Sequence, residues 1–247
     1  MALEVDIIVP SHLRANRVTT NKHIDNVKIC VPDSQYKDYV KHNPNTEIIA
    51  HPDSIIGLTP KRQWIMENFP NCFQVDDDMT QMRRLYTEKG EEVKLWKEEA
   101  YECIQWTANV CKLMGSHFFG YNPFASPTGY HELHPFRLTG YILGGGFGIL
   151  EGSKLYFDED QKLVEDYWVS GLNAYHHRKC FVDSRFALVF TDTFANQGGC
   201  SSYRTMEQEK KDTLWLRKMF GESIQLKKDT GLAKRKHPYQ RTLKLPF

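Results

Sequence analysis

No apolar run in this 247-residue chain approaches the roughly 20 residues that cross a bilayer, so no membrane partner is expected. Met1-Ala2-Leu3-Glu4-Val5-Asp6 lacks a basic n-region and the long apolar stretch that would follow it, which argues against a signal peptide. Charge of one sign is also missing. Lys and Arg total 32 against 31 Asp and Glu, so no chain-wide field draws the protein to nucleic acid or lipid. The six cysteines (Cys30, Cys72, Cys103, Cys111, Cys180 and Cys200) form no CxxC pair, and a zinc site is not expected. Several of them sit in apolar segments, the pattern of buried, reduced thiols in an intracellular, cytoplasmic protein.

Common ligand motifs are absent as well. Gly144-x-Gly146 is followed by Ile149 where a dinucleotide fingerprint needs its third glycine. In His131-Glu132-Leu133-His134 the second histidine comes one residue too early for a zincin, and Pro135 takes the required place. Asp158, Asp160 and Glu165 do not fit an EF-hand loop. There is no internal repeat, low-complexity tract or evident linker, so one domain over 1–247 is expected, with a basic tail from about 225.

What is present is an ordinary globular composition, 40% hydrophobic and 26% charged, long enough to bury a substantial core. Val5 to Pro10 and Val27 to Pro32 read as buried strands ended by proline, and Glu47 to Ala50 as a third. A short helix is expected over Asp33 to Val40. Another starts at Thr59-Pro60, with threonine at the cap and proline in the first turn. Asn71 to Val75 reads as a fourth strand. Strands alternating with helices predict an α/β fold, a mixed but mostly parallel sheet flanked by helices. Farther on, a long helix is expected over about Glu91 to Met114, where Trp96, Ala100, Cys103, Ile104, Thr107, Cys111 and Met114 share a face. Phe118 to Pro135 reads as a long aromatic loop. A glycine-bearing strand follows around Tyr141 to Leu150, then a helix from about Gln161 to His177, a strand over Phe186 to Phe190 and a helix around Met206 to Phe220.

The fourth strand ends in Asp76-Asp77-Asp78. Three crowded carboxylates need a cation or a wall of donors, and hard divalent ions prefer oxygen ligands. The competing reading is a solvated turn or a helix cap. Pro10-Ser11-His12-Leu13-Arg14-Ala15-Asn16-Arg17 follows the first strand, where backbone amides with Arg14 and Arg17 could hold a nucleotide or its phosphates. Ordinary surface arginines are the alternative. Gly144-Gly145-Gly146 could admit a ligand close to the backbone or simply bend the sheet. Glu165-Asp166 could orient an acceptor hydroxyl and take its proton, or merely complement a helix dipole. In the tail, Lys227, Lys228, Lys234, Arg235, Lys236, His237, Arg241 and Lys244 could neutralise a diphosphate or follow a nucleic-acid backbone, or remain solvated.

The order of these elements resembles that of GT-A-type glycosyltransferases over roughly Val5 to His177. The shared pattern is a nucleotide-binding first strand, a helix with Lys61-Arg62, a strand ending in a DxD motif, a glycine-bearing central strand and a Glu-Asp pair opening a helix. Phe73-Gln74-Val75-Asp76-Asp77-Asp78 and the short chain are similar to phage enzymes that glycosylate hydroxymethylated pyrimidines in DNA; a phage-encoded copy would act in the host cytoplasm. The resemblance implies a nucleotide-sugar donor and a divalent metal, Mn2+ or Mg2+, shared by Asp76, Asp78 and a late histidine, His237. It places Pro10, Ser11, Arg14, Arg17, Lys61, Arg62, Asp76, Asp77, Gly145, Gly146, Lys234 and Arg235 around the donor. Lys227 and Lys228 could assist them, and Asp77, on the opposite face of an extended chain, is the structural member of the triplet. Asp166 is implied as the acceptor-activating base of an inverting enzyme, with Glu165 as second choice; a retaining enzyme would have no such base. Phe118, Phe119, Tyr121, Phe124, Tyr130 and His131 could stack on a sugar or an extruded base, in DNA for instance, or plug the core. Two other readings compete. Nucleotidyl transfer lacks its usual glycine-rich lysine loop here, and a nucleic-acid-binding accessory protein leaves the acidic triplet unexplained.

Overall fold

A computed structural model of the chain describes residues 2–88, 91–190, 203–228 and 238–245. The first half runs β1 (Asp6–Pro10), β2 (Val27–Pro32), α1 (Tyr36–His42), β3 (Glu47–His51), α2 (Leu58–Asn68), β4 (Cys72–Val75), β5 (Met79–Arg84) and α3 (Lys97–Leu113). The second runs β6 (Phe118–Asn122), β7 (Phe136–Arg137), β8 (Gly146–Ile149), α4 (Glu165–His176), β9 (Phe181–Phe190) and α5 (Met206–Phe220). A hairpin of β10 (Ile224–Leu226) and β11 (Arg241–Leu243) completes it. No helix among the described residues is long and apolar enough to cross a membrane.

Nine strands form one sheet in the order β3-β2-β1-β4-β8-β6-β9-β5, with β7 alongside β9. The strands β1 to β4, β6 and β9 run one way and β5, β7 and β8 the other, as the parallel and antiparallel pairings require. This is the mixed, mostly parallel, Rossmann-like sheet of the GT-A architecture. In β1, Ile7, Ile8 and Val9 are each 1% exposed or less, because helices cover both faces of a parallel sheet. The C-terminal ends of β1 and β4 meet the N-terminal end of antiparallel β8 along one edge, where open α/β sheets bind ligands.

The glycines of β8 make the central packing possible. A Cβ at Gly148 would lie 1.9 Å from Phe119 Cε1, and one at Gly146 would lie 2.2 Å from Leu188 Cδ1. Phe119 therefore packs against the bare backbone of β8 and stacks on Phe73 at 5.7 Å between ring centroids.

Several boundaries differ from expectation for local reasons. The long helix starts at Lys97, not Glu91: Trp96 N–H donates to Glu99 as a cap, while Arg84 N–H donates to Val93 and Leu95 N–H to Met82 along β5. Trp96 thus falls off the buried face, at 68% exposure. The expected loop from Phe118 opens instead with the buried strand β6, so Phe118, Phe119 and Tyr121 are core rather than acceptor contacts. Tyr141 to Leu143 lies outside β8. The helix expected from Gln161 begins at Glu165, because Asp212 of α5 takes the N–H groups of Lys162 and Leu163 first. Strand β9 starts at Phe181, five residues before the expected Phe186. The strands β5, β7, β10 and β11 escaped the pattern altogether.

Gly148→Ala is expected to overpack the sheet and cost about 1–3 kcal/mol. That loss lowers the melting temperature by about 2–4 °C per kcal/mol in a chain of this size. A thermal melt matching wild type would show that Phe119 has room to move.

Candidate functional site

Arg62, on the inner face of α2 and 1% exposed, is the centre of the ligand-facing edge. Its Nη2 donates to Asp76 Oδ1 at 2.9 Å and to the Gly144 carbonyl at 2.8 Å, and its Nε stands 3.7 Å from Glu165 Oε1. The guanidinium lies over the Phe147 ring, 4.9 Å from its centroid. One cation thus ties the end of β4, the glycine segment and the first turn of α4 together.

The two carboxylates it joins are under electrostatic stress. Burial and the neighbouring Asp166 raise Glu165 to about 7 despite Arg62. Desolvation raises Asp76 to about 7 against the pull of Arg62, and Asp78, Asp77 and Glu165 add to the rise. Asp76 keeps 37% of its side chain open to solvent, which screens that push, so the more deeply buried Glu165 is the firmer case. Several carboxylates thus crowd the Arg62 guanidinium, with Arg14 and Arg204 close enough to add positive charge.

Asp77 points the other way. It is buried, accepts from Ser11 Oγ and forms an ion pair with Arg14 at 2.8 Å. Ser11 also bonds the Tyr39 hydroxyl at 2.7 Å, and its carbonyl accepts from the buried Lys61 ammonium. Desolvation lowers Lys61 to about 8, partly offset by Cys30 and Asp77. Lys61, Ser11, Asp77 and Arg14 thereby pin the chain that leaves β1 at the buried Pro10. Arg17 is exposed and reaches back to the Leu13 carbonyl at 3.4 Å. Thr20, which nothing in the sequence pattern marks, fixes the triplet from below: its hydroxyl donates to the Asp76 carbonyl at 2.6 Å and accepts from Met79 N–H.

On the opposite wall Asp166 opens α4. Its Oδ2 accepts from the Tyr141 hydroxyl and from Gly144 N–H at 3.3 Å, and its Oδ1 from Tyr167 N–H at 2.8 Å. Gly145 supplies its carbonyl to Asp76 N–H at 2.9 Å. A Cβ there would strike the Phe190 ring at 2.7 Å, so packing alone accounts for the glycines at 145 and 146. Tyr141 has no periodicity to reveal it; its only sequence cue is its place just ahead of the glycine run.

The edge therefore gathers Asp76, Asp78, Glu165, Asp166, Arg62, Arg14 and the β1 loop, while Lys61, Ser11 and Asp77 are engaged with one another. Lys234, Arg235 and His237 lie outside the described residues. Lys227 and Lys228 are exposed after β10. Among the described residues no three His, Cys, Asp or Glu side chains converge to cage a metal. Among the described residues, Asp76 and Asp78 offer two carboxylates, an all-oxygen set. That set suits a hard ion that keeps its waters and takes phosphate oxygens.

The raised Glu165 makes a stability prediction. A carboxyl raised in the folded state contributes stability below its unfolded value, here 4.5, and loses it as pH climbs through about 7. Glu165→Gln removes that loss. Melts in a chelator should show the variant gaining on wild type by several degrees between pH 5 and pH 8. A difference independent of pH would mean that Glu165 is not raised.

Residues 5–199 match the family model described as TET-Associated Glycosyltransferase. No curated protein matches the chain. The match extends from before β1 to beyond β9, and so takes in all the elements that build the edge around Arg62. It sets aside nucleotidyl transfer and a purely accessory role in favour of glycosyl transfer. The chain belongs to the TET-associated glycosyltransferase family and is a glycosyltransferase enzyme.

Proposed function

We propose that this enzyme moves a sugar from a nucleotide-sugar donor to an acceptor hydroxyl with Mn2+ or Mg2+, the acceptor being a hydroxymethylated pyrimidine in DNA. The observation that carries this reading is the placement of the Asp76–Asp78 carboxylates opposite Glu165 and Asp166, with Arg62 between them at the ligand-binding edge. The donor lies across the ends of β1 and β4, with the Pro10–Arg14 backbone, Arg14, Arg17 and Arg62 on the nucleotide side. Asp76 and Asp78 would hold the ion, which supplies the positive charge that a departing diphosphate needs. Lys234, Arg235 and His237 belong to the same proposal as diphosphate and metal partners. The strand that follows them, β11, is tied to α4 beside Asp166 through the Tyr167 hydroxyl and the Arg241 carbonyl at 3.0 Å.

In an inverting transfer Asp166 takes the acceptor's proton. The freed oxygen bonds the anomeric carbon as the carbon–oxygen bond to diphosphate breaks, and that electron pair leaves with the nucleoside diphosphate. The DNA acceptor rests on the likeness to phage enzymes and on the exposed Phe124 and His131 in the β6–β7 connection, which are free of the core. Aromatic and imidazole faces of that kind can stack on an extruded base.

Calorimetry with uridine and guanosine diphosphates should show binding that needs manganese, and Asp78→Ala should abolish that dependence with the fold intact. A variant retaining full manganese-dependent activity would refute the metal role. Asp166→Asn should lower kcat by about 10²–10⁴ while still binding donor. Mass spectrometry of hydroxymethylated DNA should show one added sugar per modified base, and an unchanged mass with every common donor removes the DNA acceptor.

A further inference from the structure

We propose that Tyr141 and Gly144 are positioning residues that aim the Asp166 carboxylate, leaving one Oδ1 lone pair for the acceptor's proton. This rests on the reading of Asp166 as the base.

An ionised carboxylate offers about four lone-pair sites, two on each oxygen. Tyr141 Oη and Gly144 N–H both donate to Oδ2, and Tyr167 N–H donates to Oδ1. Among the described residues that accounting fills Oδ2 and leaves Oδ1 with one site. The carboxylate cannot swing to exchange its oxygens without losing two donors. It is also braced sterically, since a Cβ at Gly144 would stand 2.9 Å from Asp166 Cβ and 3.0 Å from Oδ2. Asp166 rests directly on the bare glycine.

Tyr141 is built to stay a donor. Burial and the adjacent Asp166 push its hydroxyl well above the ordinary value, so it keeps its proton through the neutral range. Its ring packs on Tyr167 with centroids 4.7 Å apart and planes 30° apart. The next residue, Ile142, donates its N–H to Ser170 Oγ at 3.2 Å, fixing the same loop to α4 one turn beyond the carboxylate. Tyr167 is held in turn by the Arg241 carbonyl and the guanidinium 5.5 Å from its ring centroid. The phenol that orients Asp166 therefore sits on a support anchored elsewhere. The first glycine of the triglycine run acquires a role distinct from ligand approach.

Full-length Tyr141→Phe, Gly144→Ala, Ser170→Ala and Asp166→Asn separate the possibilities. The probe is whichever UDP- or GDP-sugar the wild-type enzyme turns over, read as nucleoside diphosphate released with a hydroxymethylated oligonucleotide present. Loss of a hydrogen bond to a charged group should lower kcat about 10- to 100-fold in Tyr141→Phe, with donor KM near wild type. Gly144→Ala should lose kcat in the same way. Ser170→Ala removes one anchor of that loop without touching Asp166 and should lose much less kcat than Tyr141→Phe. Wild-type kcat in Tyr141→Phe beside an inactive Asp166→Asn overturns the inference alone. An equal loss in Ser170→Ala also overturns it, since loop packing would then explain the effect. Full activity in Asp166→Asn overturns the base reading and this inference together.

Discussion

A single buried guanidinium holds the ligand-binding edge together. Arg62 reaches Asp76 just past β4, the Gly144 carbonyl ahead of β8 and Glu165 on α4, three segments spread over about a hundred residues of chain. Enclosing that charge is costly unless it is paired, and removing a partner from such a cluster leaves another charge stranded. The pairing is also incomplete by design of number: one cation meets two carboxylates directly and others close by. The same arrangement that fixes the geometry thus crowds carboxylates along the edge.

Around Arg62 the segments divide the work. The β1 side is internally satisfied, with Ser11, Lys61, Arg14 and Asp77 bonded to one another, so it offers a rigid floor. The α4 side is braced by aromatic rings and a hairpin strand, so Asp166 is presented on a firm wall. Between them β8 carries glycines because Phe119 and Leu188 occupy the space that side chains would need. Rigidity on both sides suits transfer chemistry, where misplacement of a reacting group by an ångström is costly.

The sequence made some of this legible. Runs such as Asp6-Ile7-Ile8-Val9 and Cys72-Phe73-Gln74-Val75 announce buried parallel strands because both their faces are apolar, and the first four strands stood out on that ground. The acidic triplet and the Glu-Asp pair were visible as charge where charge is expensive. What stayed hidden depends on distant partners. Helix α4 begins where it does because Asp212, far along the chain, captures two amides. Strand β6 was masked by its own aromatic and glycine content, since Phe118, Phe119, Gly120 and Tyr121 carry no alternation when both faces are buried. Asp77 is buried and paired with Arg14 in a turn after β4 rather than in an extended strand, and Tyr141 and Thr20 act through contacts that no local pattern encodes.

The position of β8 has a consequence for how the molecule comes into being. It slots between β4, more than 70 residues earlier in sequence, and β6, so the centre of the sheet is closed by a late strand. Chains emerge amino-terminus first, and long-range pairings of this kind form slowly because loop closure precedes the contacts that reward it. Strands β1 to β4 can assemble on the ribosome with their carboxylates exposed and Arg62 lacking its glycine carbonyl and its glutamate. The floor of the site is therefore born before its far wall. The Arg62 cluster is complete only once the chain has been made past the start of α4.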